Sequence, residues 1–447
     1  MRFDGFREMI AYRARRAPDA PAFLTGGADG PCAISYTAFL ADVTERAGSL
    51  RRSGKTCLGV LCDGSYECLT AIFAAVEAGM QVVLLNENAT PEQIALTDVD
   101  RLWGEEDLLD ELSPVLTDGA TRGAGNVLFF TSGTTAKTKA VVLTEQSLCA
   151  SAYNGGALQP LSPDDILMCM LPLDHVFGFV CGVLWGLSCG ACVALGRGPR
   201  HYFDDLSYFR PTALSAVPLL LGFLLQKDLL NPELKLVLIG AGDCPPELPA
   251  ALKAQGRRVC FGYGLTETSS GVALSLGDDP YAMTVCPDDE ITIAQDGEIL
   301  IKNETCMMQG YYQNEKATAA VLNNGVLATG DLGYFDENGL LHVTGRKKEV
   351  LVLADGTKVF LPEYERDLRK ALPDKDFAVI ALDGFPALVV RGDEADRPAV
   401  EALTEPVMRA LPLGRRVRQT IFVPDPLPRT ATGKIKRWEL QQKVGRQ

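Results

Sequence analysis

The sequence predicts an α/β protein, with a large multi-layer α/β N-terminal domain followed by a small α+β C-terminal domain. Short apolar runs alternate with helical patterns through roughly the first three hundred residues, the mark of helices packed on largely parallel strands. The pattern changes near residue 345: beyond Gly345-Arg346 the strand and helix signals mix, cysteine disappears and the tail turns basic. At 447 residues the chain is also long enough for more than one domain and a large core. The expected boundaries are 1–345 and 346–447.

Taken in order, Thr56–Cys62 and Gln81–Leu85 read as strands with a helix, Tyr66–Gly79, between them. Asn126–Phe130 is a further strand and enters a Gly/Thr-rich loop. Leu234–Ile239 and Val259–Gly262 are others, each followed by small or turn-forming residues. In such folds ligands collect at the loops beyond the carboxyl ends of the strands. Val176–Leu195 carries no charge and is long enough for a bilayer, which takes about 20 apolar residues. Yet Gly178, Gly182, Gly186 and Gly190 recur at every fourth position, and no basic cluster flanks the segment. A core helix followed by a core strand is expected, not a transmembrane span. Its glycines fit either a groove or close helix packing. Later, Ile291–Lys302 and Leu340–Val343 read as short β segments punctuated by Asp296-Gly297 and Asn338-Gly339 turns.

Composition narrows the function classes. Forty-three basic against 57 acidic residues give a net charge of −14, so the molecule as a whole repels polyanions and no nucleic-acid partner is expected. Met1–Phe6 has no apolar run after a basic start, so no secretory signal is read there. The 13 cysteines, an odd number scattered through apolar segments, indicate reduced thiols and a cytoplasmic protein. Cys189-Gly190-Ala191-Cys192 has metal-like spacing but no second pair, and reads as a buried structural pair.

Four segments carry chemistry. In Leu128–Lys139 a strand opens into Thr131, Ser132, Gly133, Thr134, Thr135 and the lysines Lys137 and Lys139. Hydroxyls and backbone N–H groups can surround phosphate oxygens while lysine supplies positive charge. It is not a Walker loop, since the glycine before the lysine is missing; taken alone, it could be only a turn. In Gly262–Thr268, Tyr263 beside glycines could flank a planar base and Glu267 could hold Mg²⁺; a buried tyrosine and a capping threonine are the plainer alternative. Ala328–Asp331 sets a carboxylate after a tight turn, suited to ribose hydroxyls, although Gly-Asp turns are common. Pro428–Ile435 places Lys434 on a Gly/Thr turn, where most lysines are simply solvated.

Order decides between these readings. The Thr131–Lys139 loop, Tyr263–Thr268, Glu298–Tyr311, Thr329–Asp331, Gly345–Glu365 and Pro428–Lys434 resemble, in sequence and over essentially the whole chain, the motifs of the adenylate-forming superfamily of acyl-CoA synthetases, adenylation domains and luciferases. The resemblance implies an ATP-dependent acid–thiol ligase with an active site between a large domain and a small mobile one. It implies that Thr131, Ser132, Gly133, Thr134, Thr135 and Lys139 wrap the ATP phosphates. Tyr263, Gly264 and the Gly240-Ala241-Gly242 turn would border the adenine and acyl pockets. Thr266 and Glu267 would contact phosphate and Mg²⁺, with Thr131 a further metal oxygen, and Asp331 and Arg346 would hold ribose. Lys434 would bridge the substrate carboxylate and α-phosphate; Lys348 would be the hinge, and the loop around Gly356 would meet the pantetheine. Ala136, Thr138 and Ala140 depart from the glycine, proline and glycine usual in the phosphate loop, and alanine is strained wherever φ must be positive.

Leu171–Gly178 resembles the acyl- and aryl-CoA ligase version of the substrate motif, with His175 in the catalytic neighbourhood. Fatty or aromatic acids are therefore expected ahead of amino acids, although Asp174 keeps an amine-bearing substrate open. Coenzyme A is the expected acceptor, as no carrier domain follows Lys434. An acyl carrier protein is the alternative, and Lys347, Lys358 and Arg366 could meet its acidic surface. A non-catalytic nucleotide- or acyl-binding relative is the rival of another class.

Overall fold

A computed structural model of the chain describes residues 1–103, 125–131, 138–242, 244–352, 358–429 and 435–445. Two large sheets dominate the first three quarters. In the smaller, Arg101–Trp103, Cys57–Leu61, Gln81–Leu85 and Asn126–Thr131 run parallel, and Lys139–Thr144 and Gly310–Tyr311 then add antiparallel. Alternation along these strands serves two cores. Val82, Leu84, Val127, Phe129, Val141 and Leu143 face one buried cluster. Val83, Leu85, Leu128, Ala140 and Val142 face another. A strand covered on both faces has no polar side to show, which is why these segments read as unbroken apolar runs.

The larger sheet changes character midway. Pro21–Thr25, Cys192–Leu195, Ile166–Cys169, Ala213–Ala216, Leu236–Ile239 and Arg258–Leu265 are parallel neighbours. Beyond Arg258–Leu265 every pairing is antiparallel, through Ser270–Ser275, Met283–Val285, Leu341–Arg346, Val326–Phe335, Glu298–Lys302 and Glu290–Ile293. Largely parallel strands, the expectation from alternation, thus hold for the first half only. Arg258–Leu265 with Ser270–Ser275, Glu290–Ile293 with Glu298–Lys302, and Val326–Phe335 with Leu341–Arg346 are joined by short turns, and a turn that short can only reverse the chain.

Helix Tyr66–Glu77 starts where Ser65 caps Cys68 N–H, and Cys68–Val76 are buried throughout. Val176–Cys189 is a core helix with a π-helical stretch at Val180–Leu184, leading to the buried strand Cys192–Leu195. Its glycines serve close packing and not a groove. A Cβ at Gly178 would meet Pro172 O at 2.1 Å, and one at Gly186 would meet Val193 Cγ2 at 2.8 Å. Among the described residues no helix is long and apolar enough to cross a membrane.

After Lys347–Glu349 the chain forms a separate set of elements. Phe377–Leu382 and Phe385–Arg391 make a hairpin, Gln419–Val423 joins it parallel, and Val350–Val352 pairs with Lys358–Phe360. Helices Leu361–Ala371, Arg397–Ala410 and Arg437–Val444 accompany them. Among the described residues, buried clusters draw either on positions up to Leu341 or on positions from Leu351 onward, and none mixes the two.

Candidate active site

The site is built around the point where the larger sheet switches from parallel to antiparallel. Strand Arg258–Leu265 runs into a tight turn, Thr266–Thr268, and returns as Ser270–Ser275. The two backbones approach so closely that a Cβ on Gly264 would lie 1.8 Å from Ser270 O. Only glycine fits there. Ser269 and Ser270 take φ of +54° and +115°, a conformation costly for residues with a Cβ. Hydrogen bonds from Ser269 Oγ to Cys306 O (2.7 Å) and from Thr268 Oγ1 to Ser270 O (2.9 Å) hold them in it.

Asp331 lies on Val326–Phe335 directly opposite Arg346 on Leu341–Arg346. This cross-strand register brings Arg346 Nε to 3.0 Å from Asp331 Oδ1, and Tyr263 Oη donates to Asp331 Oδ2 at 2.8 Å. The carboxylate is 3% exposed. Burial, and then the charge of Asp331, push the Tyr263 hydroxyl well above its ordinary pKa, so it stays a donor. The preceding turn is fixed as well. Gly330 has φ +72°, its N–H donates to Glu298 Oε1 at 2.8 Å, and Thr329 Oγ1 accepts from Asp331 N–H at 3.0 Å. Lys347 Nζ pairs with Glu298 (2.8 Å) and Asp296 (2.6 Å), tying the start of the C-terminal segment to the same turn. Lys347 is thus engaged by two carboxylates of this chain.

On the other side of Thr266–Thr268, Glu267 is half-buried and accepts from Tyr311 Oη at 2.7 Å. Lys139 Nζ stands 4.3 Å from the centre of the Tyr311 ring. Thr131 and Lys139 are register partners at the mouth of the phosphate loop, and Thr131 Oγ1 donates to Lys139 O at 3.4 Å. Ser132, Gly133, Thr134, Thr135 and Ala136 fall outside the described residues, as do Gly356 and Lys434; of Lys348 the backbone alone is described, in the turn Lys347–Glu349. Ala140 sits in a regular strand opposite Phe130 and does not have positive φ, so this departure from the usual loop carries no backbone strain.

The Gly240-Ala241-Gly242 turn follows strand Leu236–Ile239. Phe177 lies so close that a Cβ on Gly240 would be 2.9 Å from its ring, and Ala241 is held at φ +62°. His175 precedes the helix beginning at Val176, and its N–H donates to Pro172 O at 3.3 Å. Asp174 is buried and accepts from Asn86 Nδ2 at 3.0 Å. Asn86 thus takes one carboxylate oxygen, while Oδ1 is buried without a hydrogen-bond partner among the described residues, so the amine-bearing alternative stays open.

Two kinds of residue escaped the sequence reading. Tyr311 and Glu298 lay inside a matched motif without a role, because nothing local distinguishes them. Ser269 and Ser270 left no signal at all, since strain is imposed by the hairpin.

Magnesium suits this donor set. Among the described residues no three His, Cys, Asp or Glu side chains gather into a metal cage. An ion carried by phosphates and water needs only one or two protein carboxylates, and Glu267, an oxygen donor set by Tyr311, meets that requirement.

The profile of the AMP-binding enzyme family matches residues 114–312. A probable CoA ligase of Humulus lupulus is 30% identical over 348 residues, 70% of this chain and 65% of that protein. A CoA ligase of Mycobacterium tuberculosis is 32% identical over 340 residues, 70% of this chain and 66% of that protein. The chain thus spans just under two thirds of the length of these relatives. O-succinylbenzoate coenzyme A synthetase of Bacillus subtilis, solved in complex with ATP and magnesium ion, shares the fold with a TM-score of 0.80 at 22% identity, over 97% of this chain and 99% of that one. The chain thus has the fold of these synthetases, matches the AMP-binding enzyme family over residues 114–312, and is similar to CoA ligases over 70% of its length.

Proposed function

We propose that the chain activates a carboxylic acid, fatty or aryl, with ATP to an acyl-adenylate and then passes the acyl group to the thiol of coenzyme A. One observation carries this reading. Tyr263, Asp331 and Arg346 are joined by a hydrogen bond and an ion pair, while Glu267, Tyr311 and Lys139 are joined by a hydrogen bond and a cation–π contact, and both groups hang on the strand and turn that run from Arg258 to Thr268.

The roles follow from charge. Asp331, oriented by Tyr263 and Arg346, accepts from the ribose hydroxyls. Thr131, Ser132, Gly133, Thr134, Thr135 and Lys139 surround the phosphates, and Thr266 and Glu267 face the phosphates and their magnesium. Bound there, the ion supplies positive charge where pyrophosphate leaves. Attack of a carboxylate on a phosphate must overcome the repulsion of two anions, and Lys434 lies between them as that charge builds. The acid lies along Gly240-Ala241-Gly242, Phe177 and His175; the relatives named for 2-succinylbenzoate and indoleacetate act on acids with an apolar ring system.

Residues 1–345 and 346–447 act as two domains, a reading supported by the division of the buried clusters on either side of Lys347–Glu349. Turning about Lys348, the small domain withdraws Lys434 and brings the loop around Gly356 to the pantetheine. Closure excludes water from a mixed anhydride it would otherwise hydrolyse. Coenzyme A is favoured over a carrier protein because Lys347 is spent on Asp296 and Glu298. A cytoplasmic location fits the thiols, since burial pushes those of Cys169, Cys192 and Cys306 up to about 12.

The test is pyrophosphate release from ATP and Mg²⁺ over a panel of fatty, aryl and amino acids, with and without coenzyme A. Release with an apolar acid, and a thioester when coenzyme A is added, is the expected result. No release with any acid supports the non-catalytic alternative and refutes this one.

A further inference from the structure

We propose that Tyr311 is a positioning residue that keeps the carboxylate of Glu267 and the ammonium of Lys139 apart and presents each to a metal-bound polyphosphate. The inference rests on the ATP reading above. Gly310–Tyr311 is a two-residue strand against Lys139–Thr144, with Tyr311 opposite Val141. Lys139, two residues before Val141, is therefore the diagonal neighbour on the same face, within reach of an aromatic ring. Its Nζ lies 4.3 Å from the ring centroid, while the hydroxyl of the same side chain donates to Glu267 Oε1 at 2.7 Å.

The tyrosine is itself anchored. It is 8% exposed, its N–H donates to Thr318 Oγ1 at 2.9 Å, and Gln309 and Tyr312 donate to Val142 O and Ala140 O at 2.9 and 2.8 Å. Met308 N–H donates to Glu267 O at 2.8 Å, which fixes the backbone of the carboxylate to the same segment. Among the described residues, Lys139 and Glu267 make no ion pair with each other, although one side chain touches both. A direct pair would consume the lone pairs a metal needs and the N–H groups a phosphate needs. Tyr311 replaces that pair with two neutral contacts, a hydroxyl for the carboxylate and a ring face for the ammonium, which leave both charges for a ligand.

The two contacts separate by substitution. Tyr311→Phe keeps the ring and the packing volume and removes the hydroxyl; Tyr311→Leu removes both. Calorimetric titration of the full chain with ATP in the absence of divalent ions measures the lysine side. Binding of Mn²⁺ to the protein–ATP complex, followed by electron paramagnetic resonance, measures the carboxylate side. We expect Tyr311→Phe to leave metal-free ATP affinity within about twofold and to weaken Mn²⁺ binding about tenfold. Tyr311→Leu should also weaken metal-free ATP about tenfold. Wild-type Mn²⁺ affinity in Tyr311→Phe overturns the role of Tyr311, and so do equal losses on both measurements in that variant. Because Tyr311→Phe preserves the packing, it decides the question even if Tyr311→Leu does not fold. A wild-type chain that binds no ATP overturns the ATP reading as well, so the two failures are told apart.

Discussion

Asp331→Ala offers the sharpest separation of a ribose-binding carboxylate from a merely structural one. In the structure the carboxylate is 3% exposed, clasped by Tyr263 Oη at 2.8 Å and Arg346 Nε at 3.0 Å. Removing it strands the Tyr263 hydroxyl, a loss of about 1–3 kcal/mol in stability if no water replaces the acceptor. Arg346 is 46% exposed and turns to solvent at little cost. The effect on nucleotide is larger in proportion. Hydrogen bonds to a charged acceptor contribute about 1.5–3 kcal/mol each, and losing two of the weakest such bonds amounts to about 3 kcal/mol, or roughly 100-fold in Kd. The assay compares ATP with 2′,3′-dideoxy-ATP by calorimetry on both proteins. If Asp331 accepts from ribose, ATP binding falls roughly 100-fold in the variant while the dideoxy nucleotide, already lacking those hydroxyls, binds both proteins alike. Equal weakening of the two nucleotides refutes the reasoning, because it reports a disturbed fold instead of a lost contact.

Lys434→Ala should slow adenylation about 10²–10³-fold, the usual cost of losing a transition-state charge partner, and leave thioester formation from supplied acyl-adenylate nearly intact. Equal loss in both half-reactions contradicts a lysine that works in one conformation and withdraws in the other. Gly264→Ala places a methyl 1.8 Å from Ser270 O, a backbone atom that cannot swing aside, so it should destabilise the chain by about 1–3 kcal/mol or more and lower the denaturant midpoint; an unshifted midpoint shows the hairpin to be looser than described. Burial raises the Asp289 carboxyl to about 7, against the opposing pull of Asn303 and Asn154, which donate to it at 2.7 Å each. Its folded pKa exceeds the unfolded value of about 4, so the stability it confers is complete below that pH and disappears as pH rises through about 7, with a slope of up to about 1.4 kcal/mol per pH unit between. Urea midpoints from pH 5 to 8 should fall accordingly, and Asp289→Asn should flatten that part of the curve; an unchanged slope in the variant assigns it to other groups.

Much of this molecule was legible from its residues in a line. Strands such as Gln81–Leu85 and the buried helix and strand of Val176–Leu195 are local patterns of apolarity, and local patterns survive translation into sequence. The motifs that would carry the chemistry, from Thr131 to Lys434, are short and keep their order, so they were visible one by one. Tertiary structure alone decided how they act on each other. That Tyr263 serves Asp331, that Tyr311 stands between Glu267 and Lys139, and that Lys347 is spent on Asp296 and Glu298 all depend on registers between strands far apart in the chain. The same holds for the glycines every fourth residue from Gly178, where sequence left a groove and close packing equally open and the neighbouring Pro172 and Val193 settled it. The physical reason is one of range. Periodicity and turn chemistry are set by a few adjacent residues, whereas a side chain's partner is set by which backbone the sheet lays beside it.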